Sequence, residues 1–143
     1  MQLSKLTDYA LRTLVLVAVR DPELVTVAEI ARVHRIPEGH VRKITNLLAR
    51  EGFLASVRGR TGGYRLASPA ERIVLGRVVR ATESDLRLVE CFDPSSALCR
   101  LEPGCVLRAV LAEALDAFLA VLDRTTLAEI VVERRRLAQL LAP

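Results

Sequence analysis

Apolar positions in the first part of the chain repeat at helical spacing. Ala10, Leu11, Leu14, Val15, Val17 and Ala18 form one stripe, opened by Thr7-Asp8 and stopped by Asp21-Pro22. Thr26-Val27-Ala28-Glu29 puts a hydroxyl at a helix start and a carboxylate three residues on, the capping-box pattern, and predicts a short helix to about Val33. After a turn, Pro37 suits the first position of a third helix, where its missing N–H is not needed. Gly52 suits the end of that helix, near Glu51. Val41, Ile44, Leu47 and Leu48 share one of its sides, and His40, Arg42, Lys43, Asn46 and Arg50 lie largely away from them.

Beyond Gly52 the pattern shortens. Phe53–Val57 and Tyr64–Leu66 read as two strands joined by Arg58-Gly59-Arg60-Thr61-Gly62-Gly63, with the Gly-Gly pair expected to supply positive φ. Helical spacing returns from Ile73 to about Glu83. A longer helix is predicted from Cys105 to about Leu122. Its charged residues Arg108, Glu113, Asp116 and Asp123 fall within roughly 140° of the circumference, at 100° per residue. The remainder is apolar and needs cover on two sides. A 143-residue monomer offers little such cover, so pairing of two chains through this helix is expected. A last helix, about Thr126 to Leu141, should turn Leu127, Ile130, Val131, Leu137 and Leu140 inward and Arg134-Arg135-Arg136 to solvent or to a phosphate.

The fold class expected is mainly α: a winged helix-turn-helix domain with a small β-wing, plus a long C-terminal dimerisation helix. The chain divides into a DNA-binding module at 1–83, a cysteine-bearing loop at 84–105, and helices at 106–143, with 126–143 packing back on the module.

Charge sharpens this division. Residues 1–80 carry 14 Lys and Arg against 7 Asp and Glu, and residues 81–143 carry 7 against 10, which gives the overall +4. A basic head on a slightly acidic body suits a polyanion-binding module, or simply a solvated basic surface. Hydrophobic residues make up 51% of the chain and aromatics 3%, so the core must be aliphatic. No apolar run reaches the ~18 residues of a membrane span, and the N-terminus lacks the apolar stretch of a signal peptide. A cytoplasmic protein is expected. Nothing resembles a catalytic triad, a phosphate-binding loop or an acid–base pair, so an enzyme is not.

Cys91, Cys99 and Cys105 lie within 15 residues, and the chain holds no other cysteine. Asp, Pro, Ser and Gly between them mark a loop. An odd count in a reducing compartment argues against a disulfide framework. Clustered thiolates suit iron–sulfur chemistry or zinc, and the missing Cys-x-x-Cys pair weakens the zinc reading. Small buried hydrophobes are the remaining alternative. Asp8, taken alone, is an acidic residue favoured in the first turn of a helix. His34, expected in the turn after the second helix, and His40, expected on the outward face of the third, are the alternative ligands.

Several motifs together carry a family likeness. They are Thr7-Asp8-Tyr9-Ala10-Leu11-Arg12, Val27-Ala28-Glu29-Ile30-Ala31, His40-Val41-Arg42-Lys43-Ile44, Arg58-Gly59-Arg60-Thr61-Gly62-Gly63-Tyr64-Arg65-Leu66-Ala67, Val79-Arg80-Ala81-Thr82-Glu83, and the three cysteines. With these, the chain resembles the winged-helix iron–sulfur regulators that include NsrR and IscR. The NsrR type is nearer, because Thr7-Asp8-Tyr9 is present and Val106-Leu107-Arg108 holds no histidine after Cys105.

The resemblance implies a homodimeric repressor that binds operator DNA, carries an iron–sulfur cluster, most often 4Fe–4S, and releases DNA when nitric oxide destroys it. Cys91, Cys99 and Cys105 would supply three ligands and Asp8 of the partner subunit the fourth. The seven residues between Cys91 and Cys99 exceed the family spacing. In such a module His40, Arg42, Lys43, Asn46 and Arg50 would face the major groove or phosphates, and Arg58, Arg60 and Thr61 the backbone or minor groove. Two other readings stay open: an IscR-type regulator sensing cluster supply or redox state, and a zinc or iron–sulfur protein with an incidental basic face.

Overall fold

The computed structural model describes residues 2–95, 99, 101 and 104–142. Helix α1 (Lys5–Arg20) packs against more of the other elements than any other: α2, α3, α4, the second wing strand and the C-terminal helices. Ala10, Leu14, Leu16, Val17, Ala18 and Val19 are all buried, so its apolar surface extends well beyond a single stripe. The helix starts two residues before the expected Thr7, because the Ser4 side chain caps the Thr7 N–H. Helix α2 (Val27–His34) begins as expected on Thr26, whose hydroxyl accepts from the Glu29 N–H at 3.1 Å. The Glu29 carboxylate pairs with Arg20 at 3.4 Å, tying α2 to α1. Arg35, in the left-handed region (φ 54°), makes the turn into α3 (Glu38–Arg50). Gly52, at φ 78°, lets the chain leave α3 toward the wing.

Strands β1 (Leu54–Val57) and β2 (Gly63–Leu66) form the predicted antiparallel wing, with Leu54 opposite Leu66 and Val57 opposite Gly63. The role expected of the Gly-Gly pair is corrected. The positive φ in the turn belongs to Gly59 (126°). Gly62 and Gly63 serve close approach instead. A Cβ on Gly62 would strike the Val57 carbonyl, and one on Gly63 would sit 2.8 Å from the Val25 carbonyl oxygen. That second contact exists because Val25 and Tyr64 exchange backbone hydrogen bonds at 2.8 and 3.0 Å, which pins the wing to the segment before α2.

Helix α4 (Leu75–Thr82) starts later than expected, after a 3-10 turn at Ala70–Arg72. Residues 73–75 pair with 125–127 instead: Leu75 N–H donates to Thr125 O at 3.0 Å, and Leu127 N–H to Ile73 O at 2.8 Å. The long helix α5 (Val106–Asp123) begins just after Cys105, as expected.

The last predicted helix is corrected to two, α6 (Leu127–Ile130) and α7 (Arg134–Leu140). Ile130-Val131-Val132 is a β-branched run with poor helix propensity. Across the break the Arg134 guanidinium donates to the carbonyls of Val19 and Asp21, which the end of α1 leaves without helical partners. Arg134 therefore does not simply face solvent. Leu127 is buried and Leu137 half-buried, but Ile130 and Leu140 are exposed, contrary to the inward face expected for them.

One polar cluster joins α1 to α4. Thr7 and Thr82, both buried, share a hydroxyl hydrogen bond of 2.8 Å. Glu83 accepts from the Ser4 N–H at 2.7 Å. Burial pushes the Glu83 carboxyl up, and hydrogen bonds from Thr7 and Ser4 outweigh it and hold the group below its usual range. A depressed carboxyl adds stability above its unfolded value, near 4.5, and loses it as the pH falls through the folded value.

Three substitutions test this packing. Gly63→Ala should destabilise the protein by about 2 kcal/mol in urea titrations, because its new methyl meets backbone. Gly39→Ala, with open space around it, should cost nothing or add up to about 0.5 kcal/mol. Glu83→Gln should cost on the order of 1 kcal/mol at neutral pH. That difference should vanish as the wild type loses stability below about pH 4.5, which thermal melts across pH would show.

Candidate DNA-binding surface and cysteine loop

Helix α3 buries Val41, Ile44, Thr45 and Leu48 against the core. The hydroxyl of Thr45 is satisfied by the Val41 carbonyl at 3.0 Å. The opposite face exposes His40, Arg42, Lys43, Asn46 and Arg50 together, as the face count anticipated. Arg42 pairs with Glu38 at 3.0 Å and Arg50 with Glu51 at 3.2 Å. Such exposed pairs are worth at most ~1 kcal/mol, so both guanidiniums are readily available to a phosphate or base. Arg58, Arg60 and Thr61 are exposed at the wing tip. Arg77, on the exposed side of α4, stacks over the Phe53 ring at 5.6 Å.

Cys91 lies in a 3-10 turn (Glu90–Phe92), Cys99 follows in the loop, and Cys105 caps α5. All three are free and half-buried. Ser96, Ala97, Leu98, Arg100, Glu102 and Pro103, which belong to the same predicted loop, lie outside the described residues. Among the described residues no three His, Cys, Asp or Glu side chains gather closely enough to hold a metal ion.

The long interval after Cys91 is tied down at its start. Asp93 accepts from the Ser95 N–H at 2.9 Å and hydroxyl at 2.7 Å, and pairs with Arg87, which also grips Asp85. The Ser95 hydrogen bonds, assisted by Arg87, lower the Asp93 carboxyl to about 2. Arg108, in the first turn of α5, donates to the Cys91 carbonyl at 3.3 Å. A cavity of about 450 Å³ opens beside these groups, lined by Phe92, Cys105, Arg108 and Leu115 among others. Sequence reasoning missed the Arg87 staple, because it joins residues whose spacing has no helical or strand period.

Asp8 stands in the first turn of α1, 44% exposed, paired with Arg12 at 2.9 Å. It borders an apolar groove of about 420 Å³ with Leu11, Val15, Leu75 and Leu137. His34 lines the same groove and is the last residue of α2, not part of the turn. Its Nε2 is buried without a hydrogen-bond partner, and burial holds the imidazole below its usual pKa. His40 is exposed on α3.

Helix α5 presents three faces. Leu111, Ala112, Leu115, Phe118, Leu119 and Leu122 are half-buried against the chain's own body. Arg108 and Asp123, from the charged side, bind Cys91 and Arg80. The third face carries Leu107, Val110, Ala114, Ala117 and Val121, all exposed and spaced alternately by three and four residues. That is the seam spacing of a pairing helix. Among the described residues no helix is long and apolar enough to cross a membrane.

Known proteins fit this architecture. The Rrf2 profile, described as an iron-dependent transcriptional regulator, matches residues 3–133. The chain is 43% identical over 142 residues to the HTH-type transcriptional regulator NsrR of Bacillus subtilis, covering 99% of this chain and 97% of that protein. Its identity to the NsrR of Geobacillus kaustophilus is 46% over 142 residues, again covering 99% and 97%. The fold superposes on CymR, the global cysteine regulator of B. subtilis, with a TM-score of 0.77 at 26% identity, covering 93% of this chain and 98% of that one. With its winged head and its match over nearly the full length, the chain belongs to the Rrf2 family of transcriptional regulators.

Proposed function

We propose that this protein is a homodimeric, iron–sulfur-dependent repressor that releases its operator DNA in response to nitric oxide. The observation that carries this reading is the position of the cysteines. Three free, half-buried thiols sit on the segment that feeds the pairing helix, in a chain whose opposite end exposes a cationic recognition helix. Unpaired thiols with no disulfide among them suit a cluster's donor chemistry. Cys91, Cys99 and Cys105 would hold a 4Fe–4S cluster, with Asp8 of the partner subunit as the fourth ligand. When bound, the cluster supplies iron that reacts with nitric oxide.

The chain's own residues do the rest. The α5 seam pairs two subunits, and its central Ala114 and Ala117 allow the helices to approach closely. Asp8 is free to serve across the interface, because its exposed pair with Arg12 is weak. The turn that carries Asp8 is held by Ser4, Thr7, Thr82 and Glu83, so tension on Asp8 reaches α1 and, through α1, the packing of α3. Helix α3 would offer His40, Arg42, Lys43, Asn46 and Arg50 to a major groove, and the wing Arg58, Arg60 and Thr61 to the backbone or minor groove. Two such heads would meet half-sites about one DNA turn apart, ~34–36 Å.

Anaerobically purified protein should be coloured and contain iron and sulfide; a colourless, zinc-loaded protein would overturn the cofactor assignment. Asp8→Ala should leave a cluster with altered absorbance and faster loss in air, and an unchanged spectrum would remove Asp8 from the ligand set. Nitric oxide should release operator DNA from the loaded protein in gel shifts, and continued binding would refute the sensing role. Ala114→Glu should turn the dimer into a monomer by sedimentation at micromolar concentration, since it buries a charge in the seam. A dimer that survives would move the interface elsewhere.

A further inference from the structure

Helix α5 packs along α4 and the segment before the cysteines through residues that are half-buried at best. None of its residues is fully buried, and its middle, Leu115 and Phe118, borders a cavity of about 240 Å³ shared with Leu3, Leu86 and Leu88. Firm attachment is concentrated at the C-terminal end. There the backbone of 125–127 pairs with 73–75, and Val74 bridges Thr126. One turn earlier, Arg80 of α4 binds the Asp123 carboxylate with both arms of its guanidinium, at 2.5 and 2.7 Å.

A half-buried aliphatic face and one backbone ladder leave a helix some freedom to shift its axis. A second attachment on another residue fixes the direction of its axis. The planar, two-pronged Arg–carboxylate geometry suits that task, because it resists rotation as well as separation. Gly76 lies directly beneath the pair. A Cβ there would fall on the Asp123 carboxylate and within 2.9 Å of the Arg80 guanidinium. Glycine at this position leaves the room in which the pair closes over α4. Both partners are nearly half exposed, at 43% and 45%, so the pair is poorly placed to serve as a stabilising element of the core.

We propose that the Arg80–Asp123 pair, seated on Gly76, is a specificity-determining latch that sets the half-site spacing this dimer accepts. The inference rests on the dimeric, operator-binding reading above. Helix α5 is about 27 Å long at 1.5 Å per residue. A tilt of roughly 10° about its C-terminal end moves its far end by roughly 5 Å, more than the ~3.4 Å rise of one base pair. Because α5 pairs the two subunits, its angle to each head fixes how far apart the two recognition helices stand. The latch thus reads the spacer, a property of the operator that no side chain of the recognition surface touches.

The experiment uses the whole dimer and duplexes that it selects from a randomised pool. Spacers two base pairs shorter to two longer are then built around the selected half-sites, with a single half-site duplex for comparison. Binding is read by fluorescence anisotropy. Wild type should prefer one spacing at least tenfold over its neighbours. Asp123→Asn and Arg80→Lys, which keep shape or charge but lose the two-pronged pair, should bring all spacings within about threefold of one another. Their affinity for the single half-site should be unchanged. An unaltered spacing profile in both variants overturns the proposal, as does an equal loss on the single half-site, which would mean that the pair props the head itself. Recovery of no duplex by the wild type would instead overturn the operator-binding reading.

Discussion

Burial of α1 is the constraint on which the rest of the molecule depends. Its sixteen residues are enclosed by α3, α4, the wing and the α6–α7 segment, leaving Asp8 and Arg12 at its open N-terminal side. A helix buried over so much of its surface has few orientations that keep its neighbours close-packed, because aliphatic interiors tolerate little volume change. Among the described residues, the core that holds it is Leu, Ile and Val with one buried aromatic, Phe53. Any force on the first turn of α1 is therefore felt by the elements that present α3.

The polar contacts around α1 are few and each joins distant parts of the chain. Ser4 and Thr7 meet Thr82 and Glu83, Arg20 meets Glu29, and Arg134 closes over the carbonyls at the far end. These bonds hold the two ends of one helix to three different elements. The same economy appears on α5, where Arg108 holds the start near Cys91 and Asp123 holds the end near α4. The cysteine segment is thus joined to the DNA-binding head by two routes, one through Glu83, which accepts from Ser4 ahead of α1, and one along α5.

Local signals were legible wherever a residue's role is decided by its near neighbours. Thr26 caps α2, Gly52 ends α3, the two wing strands pair across the glycine-rich turn expected to join them, and Cys105 abuts α5. The outward set on α3 was legible because helical periodicity alone separates it from Val41, Ile44 and Leu48. The misreadings share a different cause. Gly62 and Gly63 are set by carbonyls of other segments, and the start of α4 by a backbone ladder to residues some fifty positions away. The break between α6 and α7 coincides with the reach of Arg134 to α1.

By itself, then, the sequence determined the kinds of elements, the cationic face of α3 and the set of thiols, because periodicity, capping chemistry and residue type act over a few positions. The tertiary structure decided which surfaces are left for a partner and how the two halves are joined. The exposed seam of Leu107, Val110, Ala114, Ala117 and Val121 can be told from the rest of an apolar helix only once its other face is packed. The pairing of Arg80 with Asp123 spans 43 positions and has no period to announce it. Such contacts are fixed by how the elements pack in three dimensions, and local spacing carries no record of them.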